Sequence, residues 1–298
     1  MLRRVRLSTP DQDFIDLDYG PPPHSANAPL WVLFHGLEGS SRSHYARAIL
    51  ATAQARGWQG LVVNFRGCSG EPNLMPRAYH SGDSDEIDWV LRALAAEHPN
   101  RMLFASGVSL GGNALLKWLG ERGESARFVT AAAALCPPQD LEAGAESLAR
   151  GFNRIYSEYF LRSLRPKTLA KLERWPGLVD AERVRRARDF FDFDDAVTAP
   201  LHGFASCFDY WHKSSCRQFL GGIRVPTLLI NALNDPFVPR HVLARDNEVS
   251  REVVLDYPAA GGHVGFPHRR LPGSFQWVPE RIVRFLDDVA GRAPIGEH

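Results

Sequence analysis

The chain has 298 residues, 44% hydrophobic and 23% charged, and a formal net charge of +1. These are ordinary values for a globular protein, and the near-neutral balance argues against a general nucleic-acid binder. Four cysteines (Cys68, Cys136, Cys207 and Cys216) form no C-x-x-C pair, so no zinc ribbon or redox pair is expected; reduced thiols in a reducing compartment are.

The opening stretch MLRRVRLSTPDQDF has basic residues but no apolar core, so it does not read as a signal peptide. Residues 4–20 alternate loosely around the turn signal TPDQD and predict an antiparallel hairpin at a sheet edge. Short apolar runs then recur at 30–35, 60–65, 102–107, 128–136, 227–233 and 252–257. They are apolar on both faces, as parallel strands covered by helices must be. None approaches the roughly 20 residues of a membrane-spanning helix. A soluble, cytoplasmic protein is expected, and its oligomeric state is open. Between the runs lie helical patterns at about 43–56, 84–97, 110–121 and 240–248. A final helix starts near Pro279, with Ile282, Phe285, Leu286 and Val289 on one face. This alternation predicts an α/β fold of one domain, 1–298, with a mostly parallel sheet and helices on both faces. One stretch breaks the rhythm. From 137 to 222 no parallel strand is apparent, and the segment is rich in arginine and aromatic residues. It reads as a helical cap inserted over the strand ends.

The sequence GVSLG, Gly107 to Gly111, places Ser109 between glycines on the turn from a buried strand into a helix. G-x-S-x-G in that setting is the pattern of a nucleophile elbow. The glycines leave room for a strained turn, and the serine hydroxyl ends up at a helix N-terminus, where N–H groups and the helix dipole favour developing negative charge. Serine at its ordinary pKa needs a base, and the base needs an orienting acid. Later in the chain, TLLINALNDPFVP is an apolar run ending in Asp235, at the carboxyl end of a strand where sites of parallel sheets gather. Next, EVVLDYPAAGGHVGF runs from a strand into a glycine-rich loop bearing His263. Asp256 is a rival acid, but it sits within a strand. For the oxyanion, the N–H of Leu110 follows the nucleophile, and the N–H of Leu37 follows Gly36 after the first parallel strand. His35 reads as a residue that fixes this loop rather than as a catalytic one.

The stretches HGLEGSS, NFRGCSGEPN, YHSGDSDEI, GVSLGGN, NALNDPFVP and GGHVGF together resemble the α/β-hydrolase superfamily and, within it, the YheT-like family. That family is related to the embryogenesis-associated and ABHD1/3-type lipid esterases. The resemblance covers most of the chain; the family tends to have tyrosine where Trp211 stands. It implies a Ser–Asp–His relay on Ser109, Asp235 and His263, and ester hydrolysis with no cofactor, acting on a small-molecule ester. A serine acyltransferase, or a ligand-binding protein of the same fold without catalysis, remain the alternatives.

Other constellations have plainer readings. His80-x4-Asp85 has a spacing that some acyltransferases use, but Ser81, Asp83 or Ser84 as the cap of the following helix is favoured. Arg66 reads as a structural ion-pair member at a strand end. No metal-ligand spacing stands out. The basic, aromatic cap segment reads first as a solvated helix face, with peripheral contact to anionic lipid as the other reading.

Overall fold

The computed structural model describes residues 2–266 and 276–291. Eight strands form one sheet: β1 (Arg3–Ser8), β2 (Phe14–Tyr19), β3 (Leu30–Phe34), β4 (Gln59–Asn64), β5 (Leu103–Val108), β6 (Ala131–Leu135), β7 (Thr227–Ile230) and β8 (Val253–Asp256). Their spatial order is β1-β2-β4-β3-β5-β6-β7-β8. β1 pairs antiparallel with β2 and β2 antiparallel with β4; every other pairing is parallel. The fold is therefore the mostly parallel α/β sheet that the sequence pattern predicts. The edge hairpin is fixed by charge as well as by the ladder. Arg4 stands opposite Asp18 and Arg6 opposite Asp16, and each guanidinium donates to both oxygens of its partner.

Both faces of the sheet are covered. Along β3, Leu30, Val32 and Phe34 enter one apolar core, while Trp31 and Leu33 enter the other. This is the two-residue side-chain period of a strand buried on both sides. The first core is closed by α2 (Ser84–Glu97) and α3 (Leu110–Arg122), through Ile87, Val90 and Leu91 and through Leu115, Trp118 and Leu119. The second is closed by α1 (His44–Ala55) and by α10 (Trp277–Ala290), the last helix in the chain, through Ile49 and Ala53 and through Ile282 and Leu286.

Between β6 and β7 the chain is helical: α4 (Leu141–Leu148), α5 (Arg154–Arg174), α6 (Ala181–Arg186), α7 (Phe190–Phe193), α8 (Ala199–Leu201) and α9 (Cys207–Ser214). These helices make two small cores of their own. One joins Leu141, Ala145, Phe190, Tyr210 and Trp211; the other joins Leu161, Val184, Phe193 and Val197. The last part of the segment behaves differently. Cys216 and Leu220 enter the core beneath the sheet, and the turn of chain at Phe219 lies so close to α3 that a Cβ on Gly120 would meet the Phe219 carbonyl at 2.1 Å.

The helix expected at 240–248 is absent. Two short 3-10 turns, Arg240–Val242 and Asp246–Glu248, stand there instead. The amide of Ala244 donates to the Gln139 side chain and its carbonyl accepts from the Tyr257 hydroxyl. Both groups that would continue a helix are thus engaged by other elements.

Candidate active site

Chain direction across the sheet switches at β3 and β5, which lie side by side with Phe34 opposite Gly107. Open α/β sheets bind ligands in the crevice at such a switch. Two loops leave the sheet there, one after β3 carrying Leu37 and one after β5 carrying Ser109.

Ser109 has φ 51° and ψ −117°, a backbone conformation that L residues rarely adopt. Its neighbours explain how the chain tolerates it. A Cβ on Gly107 would lie 2.3 Å from the Gly111 carbonyl oxygen, and one on Gly111 would lie 2.5 Å from the carbonyl oxygens of Phe34 and His35. The turn is possible only with glycine at both positions. The Ser109 amide donates to the Leu135 carbonyl at 2.8 Å, which ties the turn to β6. Asn113, one turn into α3, donates to the carbonyls of Ser81 and Ser214 and accepts from the Cys216 amide. The helix that starts at the serine is thereby anchored to both flanking segments.

His263 and Asp235 meet Ser109. The Ser109 Oγ lies 3.0 Å from His263 Nε2, and His263 Nδ1 lies 2.8 and 3.1 Å from the two carboxylate oxygens of Asp235. Asp235 is buried, and its Oδ1 also accepts the amide of Phe237 at 2.8 Å. Both imidazole nitrogens are thus engaged in one path from carboxylate to hydroxyl. The rival acid, Asp256, is placed elsewhere: it accepts from Arg281 of α10 at 2.7 Å.

Sequence reasoning missed Asn234. Its Oδ1 accepts the amides of both Gly261 and Gly262 at 2.9 Å, which folds the histidine loop against the acid loop. Gly262 sits at φ 62°, a conformation suited to glycine. The ring of Phe237 lies 4.3 Å from the His263 ring and closes one side of the site. Cys136 is also close, one potential ligand atom each of Cys136, Asp235 and His263 lying within 4.8 Å of one another. Burial pushes the Cys136 thiol well above its ordinary pKa. A protonated thiol and an imidazole already bonded at both nitrogens make a poor metal cradle.

The loop after β3 is rigidly held. His35 is fully buried; its Nδ1 bonds the Gly36 carbonyl at 2.7 Å, and its Nε2 accepts the Phe65 amide at 3.0 Å. Burial lowers its pKa to about 4, so it is a neutral structural spacer, in keeping with the sequence reading. Leu37 and Leu110 both line the same cavity as Ser109 and His263. Leu110 is the first residue of α3, so its N–H has no acceptor within its own helix. Glu38 then links the loop to the inserted helices: its carboxylate takes Lys167 of α5 at 2.7 Å and the Ser163 hydroxyl.

That cavity has a volume of about 940 Å³. Its apolar walls include Leu141, Leu148, Phe160, Leu164, Phe190 and Trp211, all from the segment between β6 and β7. Asp194 also lines it. Burial raises the pKa of that carboxyl to about 6, while the Thr198 hydroxyl and the Trp211 indole donate to it.

The structure does not join His80 to Asp85. Asp85 is exposed and pairs with Arg122 at 2.7 Å, whereas His80 is buried beside His202, their ring centroids 4.3 Å apart. Burial and then the Arg77 charge lower the His80 pKa to about 3. No side chain caps α2 either, contrary to the expectation for Ser81, Asp83 or Ser84. Asp83 occupies the N-cap position of α2, but its side chain pairs with Arg77 and bonds no amide of the helix. Ser84 is already inside α2, and its hydroxyl donates to the Gly82 carbonyl. Arg66 is the expected ion-pair member, buried against Glu86 at 2.5 Å, Asp11 at 2.7 Å and Asp13 at 3.1 Å.

Comparison with known proteins agrees with this architecture. The alpha/beta hydrolase fold model matches residues 29–266. YheT of Escherichia coli (strain K12), a candidate esterase by its name, is 40% identical over 94% of this chain and 83% of its own length. Embryogenesis-associated protein EMB8 of Picea glauca is 30% identical over 88% of this chain and 58% of its length. Phospholipase ABHD3 of Mus musculus is 29% identical over 95% and 71%. Among solved structures, Est1E from Butyrivibrio proteoclasticus with ferulic acid bound superposes with a TM-score of 0.62 at 14% identity, covering 96% of this chain and 99% of that one. The switch-point sheet, the strained serine turn and these matches have one meaning: the chain belongs to the alpha/beta hydrolase fold family and, within it, to the group that includes YheT.

Proposed function

We propose that the protein is a serine hydrolase of carboxylic esters, with Ser109 as nucleophile, His263 as general base and acid, and Asp235 as the residue that orients and supports the imidazole. The observation that carries this reading is the unbroken path of hydrogen bonds from Asp235 through His263 to the Ser109 hydroxyl. In the reaction, His263 Nε2 takes the hydroxyl proton as Oγ bonds to the ester carbonyl carbon. The oxyanion is met by the N–H groups of Leu110 and Leu37. His263 then gives its proton to the departing alcohol, leaving an acyl-enzyme. Water, deprotonated by the same imidazole, releases the acid and restores the serine.

The apolar cavity favours a hydrophobic acyl group, and names among the relatives point the same way. Phospholipase ABHD3 is one, and Monoacylglycerol lipase of Saccharomyces cerevisiae (strain ATCC 204508 / S288c), 27% identical over 95% of this chain and 63% of its own length, is another. Lipid or acylglycerol esters are therefore the proposed substrate class, with the helices from Leu141 to Ser214 as the cap that walls the site within a single domain, the last part of the 137–222 stretch packing under the sheet instead. Among the described residues no helix is long and apolar enough to cross a membrane. The four cysteines are free thiols, which fits the reducing, cytoplasmic setting proposed for the protein.

Turnover of a p-nitrophenyl ester tests the assignment. Ser109→Ala is expected to lower kcat by about 10³-fold or more with the fold intact by circular dichroism. Undiminished turnover in that variant refutes it.

A further inference from the structure

We propose that the N-terminal half of α5 is a docking face for an anionic lipid bilayer. Phe152, Ile155, Tyr156 and Tyr159 recur at i, i+3, i+4 and i+7, so they lie on one side of the helix and the turn before it. All four are exposed, by 76%, 58%, 39% and 68%. The opposite side is used by the protein: Ser157 and Leu161 are buried, and Leu161 enters a core of the inserted helices. Single exposed apolar residues are common on protein surfaces, but four in one contiguous stripe mark a surface made to be covered.

Charge identifies what covers it. Between 146 and 165 four arginines, Arg150, Arg154, Arg162 and Arg165, stand against two acids, Glu146 and Glu158, while Lys167 further along is held by Glu38. Glu158 is already paired with Arg162 and Arg165, and Glu146 with Arg150. Arg154 is exposed, and no acid in the described residues pairs with it. An apolar, tyrosine-bearing stripe on a helix with a surplus of arginine over acid fits the boundary between acyl chains and anionic headgroups. A second copy of the chain fits poorly, because a two-fold interface would bring the arginines of each copy against those of the other.

The face also leads to the proposed catalytic site. The Tyr156 ring packs on Phe237 at 4.8 Å, and Phe237 packs on His263 at 4.3 Å and lines the cavity. Further along the same helix, Ser163 and Lys167 bind Glu38 in the loop that carries Leu37. A bilayer seated on α5 would therefore lie two rings from the imidazole, at the wall of the cavity. The role of docking in feeding a lipid ester to the site rests on the esterase reading; the binding itself does not.

Co-sedimentation of the full chain with vesicles tests the inference. The protein is expected to pellet with phosphatidylcholine vesicles containing phosphatidylglycerol, to do so at least about tenfold less with phosphatidylcholine alone, and to be released by salt. Phe152→Asp with Tyr159→Asp should abolish pelleting while leaving turnover of a water-soluble p-nitrophenyl ester unchanged, which also reports that the variant is folded. Absence of pelleting by the native chain, or pelleting that survives the double substitution or is indifferent to lipid charge, overturns the proposal. So does a concentration-dependent dimer, lost in the variant, without vesicle binding. Ser109→Ala should still pellet; if that variant keeps its turnover instead, the esterase reading fails while docking stands.

Discussion

Asn234 is a neutral side chain that ties the loop of the proposed acid to the loop of the proposed base. It accepts two amides of the loop that carries His263, while Asp235, its chain neighbour, accepts the imidazole. Removing the amide leaves two backbone donors without their partner and lets the loop relax. Reactive groups displaced by about 1 Å cost on the order of 10²-fold in rate. Asn234→Ala is therefore expected to lower kcat about 10- to 100-fold with KM nearly unchanged, measured by steady-state ester hydrolysis; an unaltered kcat would remove Asn234 from the account. The sequence made Ser109, Asp235 and His263 stand out because each follows an apolar strand and sits beside glycine or proline. Asn234 follows the same strand as Asp235, but a neutral amide supplies neither nucleophile, base nor acid, so nothing in the local sequence marked it. Its two acceptor bonds reach residues 27 and 28 positions away, and that adjacency exists only after folding. Asn113 was hidden for the same reason, its partners being Ser81, Ser214 and Cys216.

At the scale of elements, the strand–turn–helix from β5 into α3 carries the strain of the site. Gly111 is the contact point where α3 meets β3, with two carbonyl oxygens 2.5 Å from the place a methyl group would occupy. Neither oxygen belongs to a flexible side chain, so the helix or the strand must move. Gly111→Ala is expected to destabilise the fold by about 2–3 kcal/mol and to disturb the serine turn as it does so. Urea unfolding checks this, and a loss below about 0.5 kcal/mol would show that the turn is looser than described. The central strands were readable because they are buried on both sides, which leaves uninterrupted apolar runs. The amphipathic helices were readable because one face packs on the sheet. The stretch at 240–248 carried a helical pattern, yet Gln139 and Tyr257 take the backbone groups of Ala244. Competition of that kind leaves no mark in local sequence.

Viewed whole, the molecule is a doubly covered sheet with a second layer of helices above the strand ends, and the two parts have different duties. The sheet brings residues 109, 235 and 263 together, and the inserted helices supply most of the apolar wall. The walls were not legible beforehand, because Leu141, Phe160, Phe190 and Trp211 come from four different helices whose mutual packing no periodicity reveals. A cavity of about 940 Å³ lies at the upper end of small-molecule sites. Each buried methylene contributes about 0.8 kcal/mol. The specificity constant kcat/KM for p-nitrophenyl esters should consequently rise by about tenfold or more from acetyl to octanoyl. A falling series would mean that the cavity does not receive the acyl chain. Whether Ser109 is an activated nucleophile is decided by exposing the full chain to a fluorophosphonate probe and mapping the labelled peptide. A single covalent adduct on Ser109 is expected, absent in Ser109→Ala and strongly slowed in His263→Ala. A folded protein that resists the probe, or carries the adduct on another serine, would contradict that role.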